Sequence, residues 1–251
     1  MHKPLYIDHQ ATTPVESAVL KAMEPYWSKN FGNPHSNQHI IGWNSNKTVN
    51  DSKRKIADFI GSEEDEIFFT SGATESNNLA SFSLCDLSRL YPQRKRVLLS
   101  PIEHSCILNA TDFWSNRYGL EIEYLKVDKL GYIDLENLEK ALKKPTLFCS
   151  IGFVNNEIGT IQDLDAIYNI LKEKECFFHS DCAQAPKTID CQKIAKKSDL
   201  ASFSGHKMGA PNGIGVLYIN AEIQSKITPL LHGGGQQNAM RPGTVPVPLC
   251  V

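Results

Sequence analysis

Seven short runs of β-prone apolar residues recur along the chain, at 66–70 (EIFFT), 96–100 (RVLLS), 121–126 (EIEYLK), 147–153 (LFCSIGF), 176–180 (CFFHS), 200–204 (LASFS) and 215–219 (GVLYI). Between them lie longer amphipathic or charged segments, which predict helices over about 15–28, 45–60, 74–90, 105–117, 134–143, 163–174 and 191–196. Alternation of this kind predicts an α/β fold, a mainly parallel sheet flanked by helices. No internal repeat or low-complexity tract interrupts it.

The chain has 251 residues, 41% of them hydrophobic, enough to bury a substantial core. Lys and Arg number 26 against 28 Asp and Glu, a net charge of -2 with no long single-sign run. Such a balance gives no nucleic-acid footprint and no basic membrane patch, and points to a small-molecule partner. No apolar run approaches the ~18 residues of a membrane span, and MHKPLYIDHQATTP is too polar for a secretory leader. The seven cysteines are odd in number and show no C-x-x-C pair, so they read as reduced thiols of a cytoplasmic protein.

In open α/β sheets, ligands bind beyond the carboxyl ends of the strands. Five such ends carry polar groups: Ser71-Gly-Ala-Thr74-Glu-Ser-Asn77, Glu103-His104, Asn155-Asn156-Glu157, Asp181-Cys-Ala-Gln184 and Gly205-His206-Lys207. Each has an ordinary reading alone. Thr74 could cap a helix, Glu103 and His104 could be a solvated loop pair, Asp181 could cap a turn, and Lys207 could be a surface lysine. His35 and His39 stand four apart but in a loop-like stretch with no third ligand, so no metal site is expected.

Taken together, these groups suit pyridoxal 5'-phosphate (PLP), which needs a lysine for a Schiff base, a carboxylate for its pyridine nitrogen and an anion cradle for its phosphate. Lys207, at the end of an apolar strand beside His206, can supply the amine. Asp181 can keep the ring nitrogen protonated, and backbone amides around Gly72-Ala73-Thr74, aided by Ser204 and His206, can hold the phosphate.

Ordered motifs spread over nearly the whole chain resemble the cysteine desulfurases, fold-type I PLP enzymes of the class V aminotransferase group. They run from YIDHQATTP (6–14) and GNPHS (32–36) through FTSGATESNNL (69–79), EH (103–104), VNNEIG (154–159), HSDCAQ (179–184) and SFSGHK (202–207) to HGGGQ (232–236) and RPGT (241–244). The resemblance implies that Lys207 carries the cofactor and moves protons at the substrate Cα, with His104 stacked on the ring and assisting. Asp181 pairs with the pyridine nitrogen, and Gln184 bonds the phenolic oxygen. Ala73, Thr74, Ser204 and His206 hold the phosphate, Thr244 reaches across a homodimer interface to the second subunit's phosphate, and Asn155 contacts the substrate carboxylate.

The same resemblance implies an N-terminal arm (1–14) and a PLP-binding large domain (15–251), with the C-terminal small domain absent. The persulfide-forming cysteine and a substrate-binding arginine are expected beyond the position matching Val251. L-Cysteine would give L-alanine and a persulfide for an iron-sulfur or thio-cofactor acceptor or scaffold protein. A selenocysteine lyase, an aminotransferase or a non-catalytic PLP-fold remnant are the alternatives. Among the cysteines of this chain, Cys182 is nearest the expected ring but reads more readily as a small packed hydrophobe, Cys106 has a weaker case as a substitute thiol, and Cys149 and Cys176 read as core.

Overall fold

The computed structural model describes residues 4–251. All seven expected strands form: β1 (Ile67–Thr70), β2 (Arg96–Leu99), β3 (Glu121–Tyr124), β4 (Thr146–Ser150), β5 (Phe177–Asp181), β6 (Leu200–Ser204) and β7 (Gly215–Ile219). They make one sheet of order β1-β7-β6-β5-β4-β2-β3. Every neighbouring pair is parallel except the two that involve β7. The carboxyl ends of the other six strands therefore share one edge.

The helices are α1 (Ser17–Met23), α2 (Ile40–Ile60), α3 (Ala73–Asp86), α4 (Ser105–Tyr118), α5 (Leu135–Ala141), α6 (Leu164–Glu173), α7 (Ala221–Gln224) and α8 (Val247–Cys250). Alternate strand residues enter opposite cores, as period-2 geometry requires. Phe68, Val97, Leu99 and Leu217 pack with Leu79, Ala80 and Leu84 of α3. Ile67, Phe69, Phe203 and Tyr218 meet Val49, Ala57 and Ile60 of α2, while Leu98, Cys149 and Phe178 meet Leu138, Ile167 and Leu171 of α5 and α6.

Three expectations need correction. The 191–196 segment is no α-helix: the Ile194 and Lys197 amides bond three residues back, to Cys191 and Ile194, and only a 3-10 turn forms at Ala195–Lys197. Strand β4 stops at Ser150 rather than 153, because the Gly152 amide donates to the Glu103 carboxyl instead of a strand. The first helix ends at Met23 and tightens into a 3-10 turn, Glu24–Trp27, with Pro25 near its start. Among the described residues no helix is long and apolar enough to cross a membrane.

Gly215 fixes how closely β7 approaches the start of α3. A Cβ there would lie 2.5 Å from Gly72 Cα and 2.7 Å from the Phe203 carbonyl oxygen, both backbone atoms that cannot swing aside. Gly215→Ala should therefore cost about 1–3 kcal/mol in urea unfolding by overpacking. An unchanged midpoint would show that α3 shifts freely.

Candidate functional site

A cleft of about 640 Å³ opens along the shared edge of strand ends. Its walls include every cofactor and catalytic residue singled out from the sequence except Thr244. Thr244 is exposed and lies outside the cleft.

One wall is the start of α3. Strand β1 ends at Thr70, and Gly72, at φ 151°, turns the chain into a 14-residue helix whose N-cap makes no side-chain hydrogen bond. Gly72, not Thr74, is the N-cap, so the ordinary reading of Thr74 as a cap fails. The first-turn amides of Ala73 and Thr74 are left to point at the cleft, where the helix dipole favours an anion. Glu75 does not fill that role. Its carboxylate is clamped by Arg241, Nε to Oε1 at 2.6 Å and Nη2 to Oε2 at 3.1 Å, and accepts from the Ser71 amide at 2.7 Å. Burial alone would raise the Glu75 pKa, but the bonds from Arg241 and Ser71 more than offset it and hold it low.

Asp181, the last residue of β5, also lines the cleft. Its Oδ1 accepts from the Ala183 amide at 2.9 Å, which caps the following turn, and its Oδ2 accepts from Asn77 Nδ2 at 2.7 Å. The turn-capping reading and the cleft-lining reading are thus both true. Lys207 closes a 3-10 turn, Gly205–Lys207, directly after β6. Ser204 and His206 flank it in the cleft wall, and burial, then the neighbouring Lys207 charge, pushes the His206 pKa down.

The N-terminal arm clamps this turn. Thr13 donates through its amide and its Oγ1 to the His206 carbonyl, both at 2.9 Å, and accepts at Oγ1 from the Gly209 amide at 3.0 Å. Gly209, at φ 90°, sits where a side chain would meet Glu16 and Lys187. Gln184 Nε2 donates to the Gln10 carbonyl at 2.9 Å, so Asp8, Gln10 and Ala11 also line the cleft. Sequence reasoning missed these arm residues, since nothing local marks their partners.

His104 is the N-cap of α4, accepting at Nδ1 from the Cys106 amide at 3.2 Å. That bond puts the proton of the neutral ring on Nε2. Asn155 is largely committed to its own loop: Nδ2 donates to the Ile102 carbonyl at 2.9 Å, and Oδ1 accepts from the Glu157 and Ile158 amides. His39 caps α2 through Gly42, a structural duty. Buried His179 lies between Ser150 and Ser202, 2.9 and 3.0 Å away, and burial drops its pKa to about 3.

Cys182 is the packed hydrophobe that its place beside a strand end suggested, and Cys106, the weaker candidate, is the one on the cleft. Cys182 is fully buried and absent from the cleft wall, and burial pushes its thiol well above the usual range. Cys106 lines the cleft, with Sγ 3.0 Å from His104 Nδ1. Cys149 and Cys176 are in the core as expected.

Glu103 is a buried carboxyl, not a solvated loop residue. Desolvation, against a bond from Gly152 and with the Asp181 charge nearby, raises its pKa from 4.5 to about 8. Between those values the folded protein keeps a proton that the unfolded chain has lost, so stability falls as pH rises through that window. Glu103→Gln cannot titrate, and its stability relative to wild type should improve from about pH 4.5 to about pH 8 in urea unfolding. Parallel pH curves for the two proteins would refute this.

Comparison with known proteins agrees with this geometry. Residues 5–244 match the family profile Aminotransferase class-V. The chain is 45% identical over 249 residues to cysteine desulfurase IscS of Rickettsia rickettsii (strain Iowa), covering 99% of this chain and 60% of that protein. It is likewise 45% identical over 249 residues to a mitosomal cysteine desulfurase of Trachipleistophora hominis, covering 98% of this chain and 56% of that protein. The chain thus spans about 60% of the length of such curated relatives. Among solved structures, SspA in complex with cysteine superposes with a TM-score of 0.91 at 38% identity, covering 98% of this chain and 70% of that one. A NifS-like protein gives 0.92 at 36% identity, covering 99% and 67%. With the profile spanning nearly every residue and the fold shared throughout, the chain belongs to the class V aminotransferase family.

Proposed function

We propose that this chain is the PLP-binding large domain of a cysteine desulfurase, with 1–14 as its arm and 15–251 as the domain. The observation that carries the reading is the convergence of Lys207, the Asp181 carboxylate and the uncapped start of α3 on one cleft. That donor set fits PLP: an amine for its aldehyde, an anion for its pyridinium and amide N–H groups for its phosphate. The 45% identity to curated desulfurases supports the substrate assignment.

Bound PLP would supply an electron sink for the pair left at the substrate Cα. Lys207 would hold the cofactor and move the Cα proton, with His104 above the ring assisting. Asp181 would keep the ring nitrogen protonated, and Gln184 would bond the phenolic oxygen. Ala73, Thr74, Ser204 and His206 would hold the phosphate, with Thr244 reaching the second subunit's site in a homodimer. Asn155 retains one amide N–H beyond its bond to Ile102 for the substrate carboxylate.

In the overall reaction a protein thiol takes the sulfur: L-cysteine plus thiol gives L-alanine plus persulfide, with no external oxidant or reductant. An iron-sulfur or thio-cofactor acceptor in the cytoplasm would then receive that sulfur. Purified protein given PLP, L-cysteine and an added small-molecule thiol as sulfur acceptor should release alanine faster than free PLP does. Alanine release no faster than that background, from protein that does hold PLP, would favour a cofactor-binding remnant.

A further inference from the structure

Asn77 is wholly buried on α3, yet its carboxamide is only half satisfied. Its Nδ2 donates to Asp181 Oδ2 at 2.7 Å and to Cys106 Sγ at 3.1 Å, while its Oδ1 is buried with no hydrogen-bond partner among the described residues. Turning the amide over would set its oxygen against the Asp181 carboxylate, so the orientation is fixed by charge. A buried orphan carbonyl costs stability, and a leucine of similar shape would carry no such cost.

Both of its donated bonds end on groups in the cleft wall. Asp181 is held at one oxygen by its own turn, through Ala183, and at the other only by Asn77. Cys106 in turn lies 3.0 Å from His104 Nδ1. One amide thus spans the proposed pyridine partner and, through a thiol, the proposed stacking histidine. It adds two donors without adding a positive charge that would neutralise Asp181.

We propose that Asn77 is a positioning residue, which aims Asp181 at the pyridine nitrogen and ties that side chain to the Cys106–His104 pair. This rests on the PLP reading above. Asn77→Leu removes the orphan carbonyl together with the bond to Asp181, two changes of opposite sign, so the apo protein should stay folded with a urea midpoint near that of wild type. Its PLP affinity, followed by visible absorbance, should fall about tenfold, the worth of one hydrogen bond to a charged group. With ring-labelled PLP, the pyridine 15N shift should move toward that of the unprotonated nitrogen.

A purely structural Asn77 predicts unchanged affinity and an unchanged 15N shift whatever happens to apo stability, and that outcome would overturn the proposal. If Asn77→Leu does not fold, Cys106→Ala and Cys106→Ser decide the matter. Weaker PLP binding in the alanine variant with wild-type binding in the serine variant supports the positioning role, and equal binding in both overturns it. Wild-type protein that never binds PLP would instead remove the cofactor reading on which this inference rests.

Discussion

Lys207→Ala should be folded, unable to hold the cofactor covalently and strongly impaired in turnover. Lys207 follows directly on the buried end of β6 and enters no ion pair among the described residues, so removing its amine leaves no charge orphaned. Its thermal unfolding should match wild type closely. The cleft, the Asp181 carboxylate and the α3 amides all persist, so PLP should still bind, but without a covalent bond. Borohydride reduction should add the mass of the cofactor to wild-type protein and nothing to the variant. Alanine release should fall about 10²- to 10⁴-fold, the usual range for losing a group that moves a proton in the transition state. A variant that keeps the reducible adduct would place the covalent anchor on another lysine.

Asp181→Ala is the second large effect. It removes the one anion expected to meet the pyridine nitrogen, and it frees the Ala183 amide and Asn77 Nδ2 that now point at that anion. A hydrogen bond to a charged group contributes about 1.5–3 kcal/mol, so PLP affinity should drop about tenfold to a hundredfold. Turnover should fall further than affinity, because an unprotonated ring is a weaker electron sink. Asp181→Asn should share most of the defect: its single carbonyl oxygen cannot accept from both Ala183 and Asn77 as two carboxylate oxygens do. Wild-type affinity in both variants would separate Asp181 from the cofactor.

These two residues were legible in the sequence because each stands at the end of an apolar strand run, where the chain must turn into the cleft. The polar stretches after β1, β2, β4, β5 and β6 could be collected on one edge from strand alternation alone. Glu103 could not be read correctly in this way. Its burial depends on the Gly152 amide, 49 positions away, and a carboxyl beside a histidine carries no local sign of that contact. Asn77 depends on Asp181 across 104 positions. By sequence Cys106 ranks below Cys182 as a cleft thiol for a related reason: next to Asp181 in sequence, Cys182 alternates to the core side of the strand end, whereas Cys106 sits on the first turn of α4 and faces Asn77.

The clamp between the arm and the lysine turn has a bearing on the order of events during synthesis. Thr13 leaves the ribosome well before the His206 carbonyl to which it donates, which follows 193 positions later. Until then the arm has nothing to close on, and the turn that carries Lys207 lacks its cover. Closing so long a loop costs only slowly growing entropy, but it must wait for the intervening sheet. A nascent chain stalled before His206 would therefore hold six of the seven described strands and still have no finished seat for a cofactor.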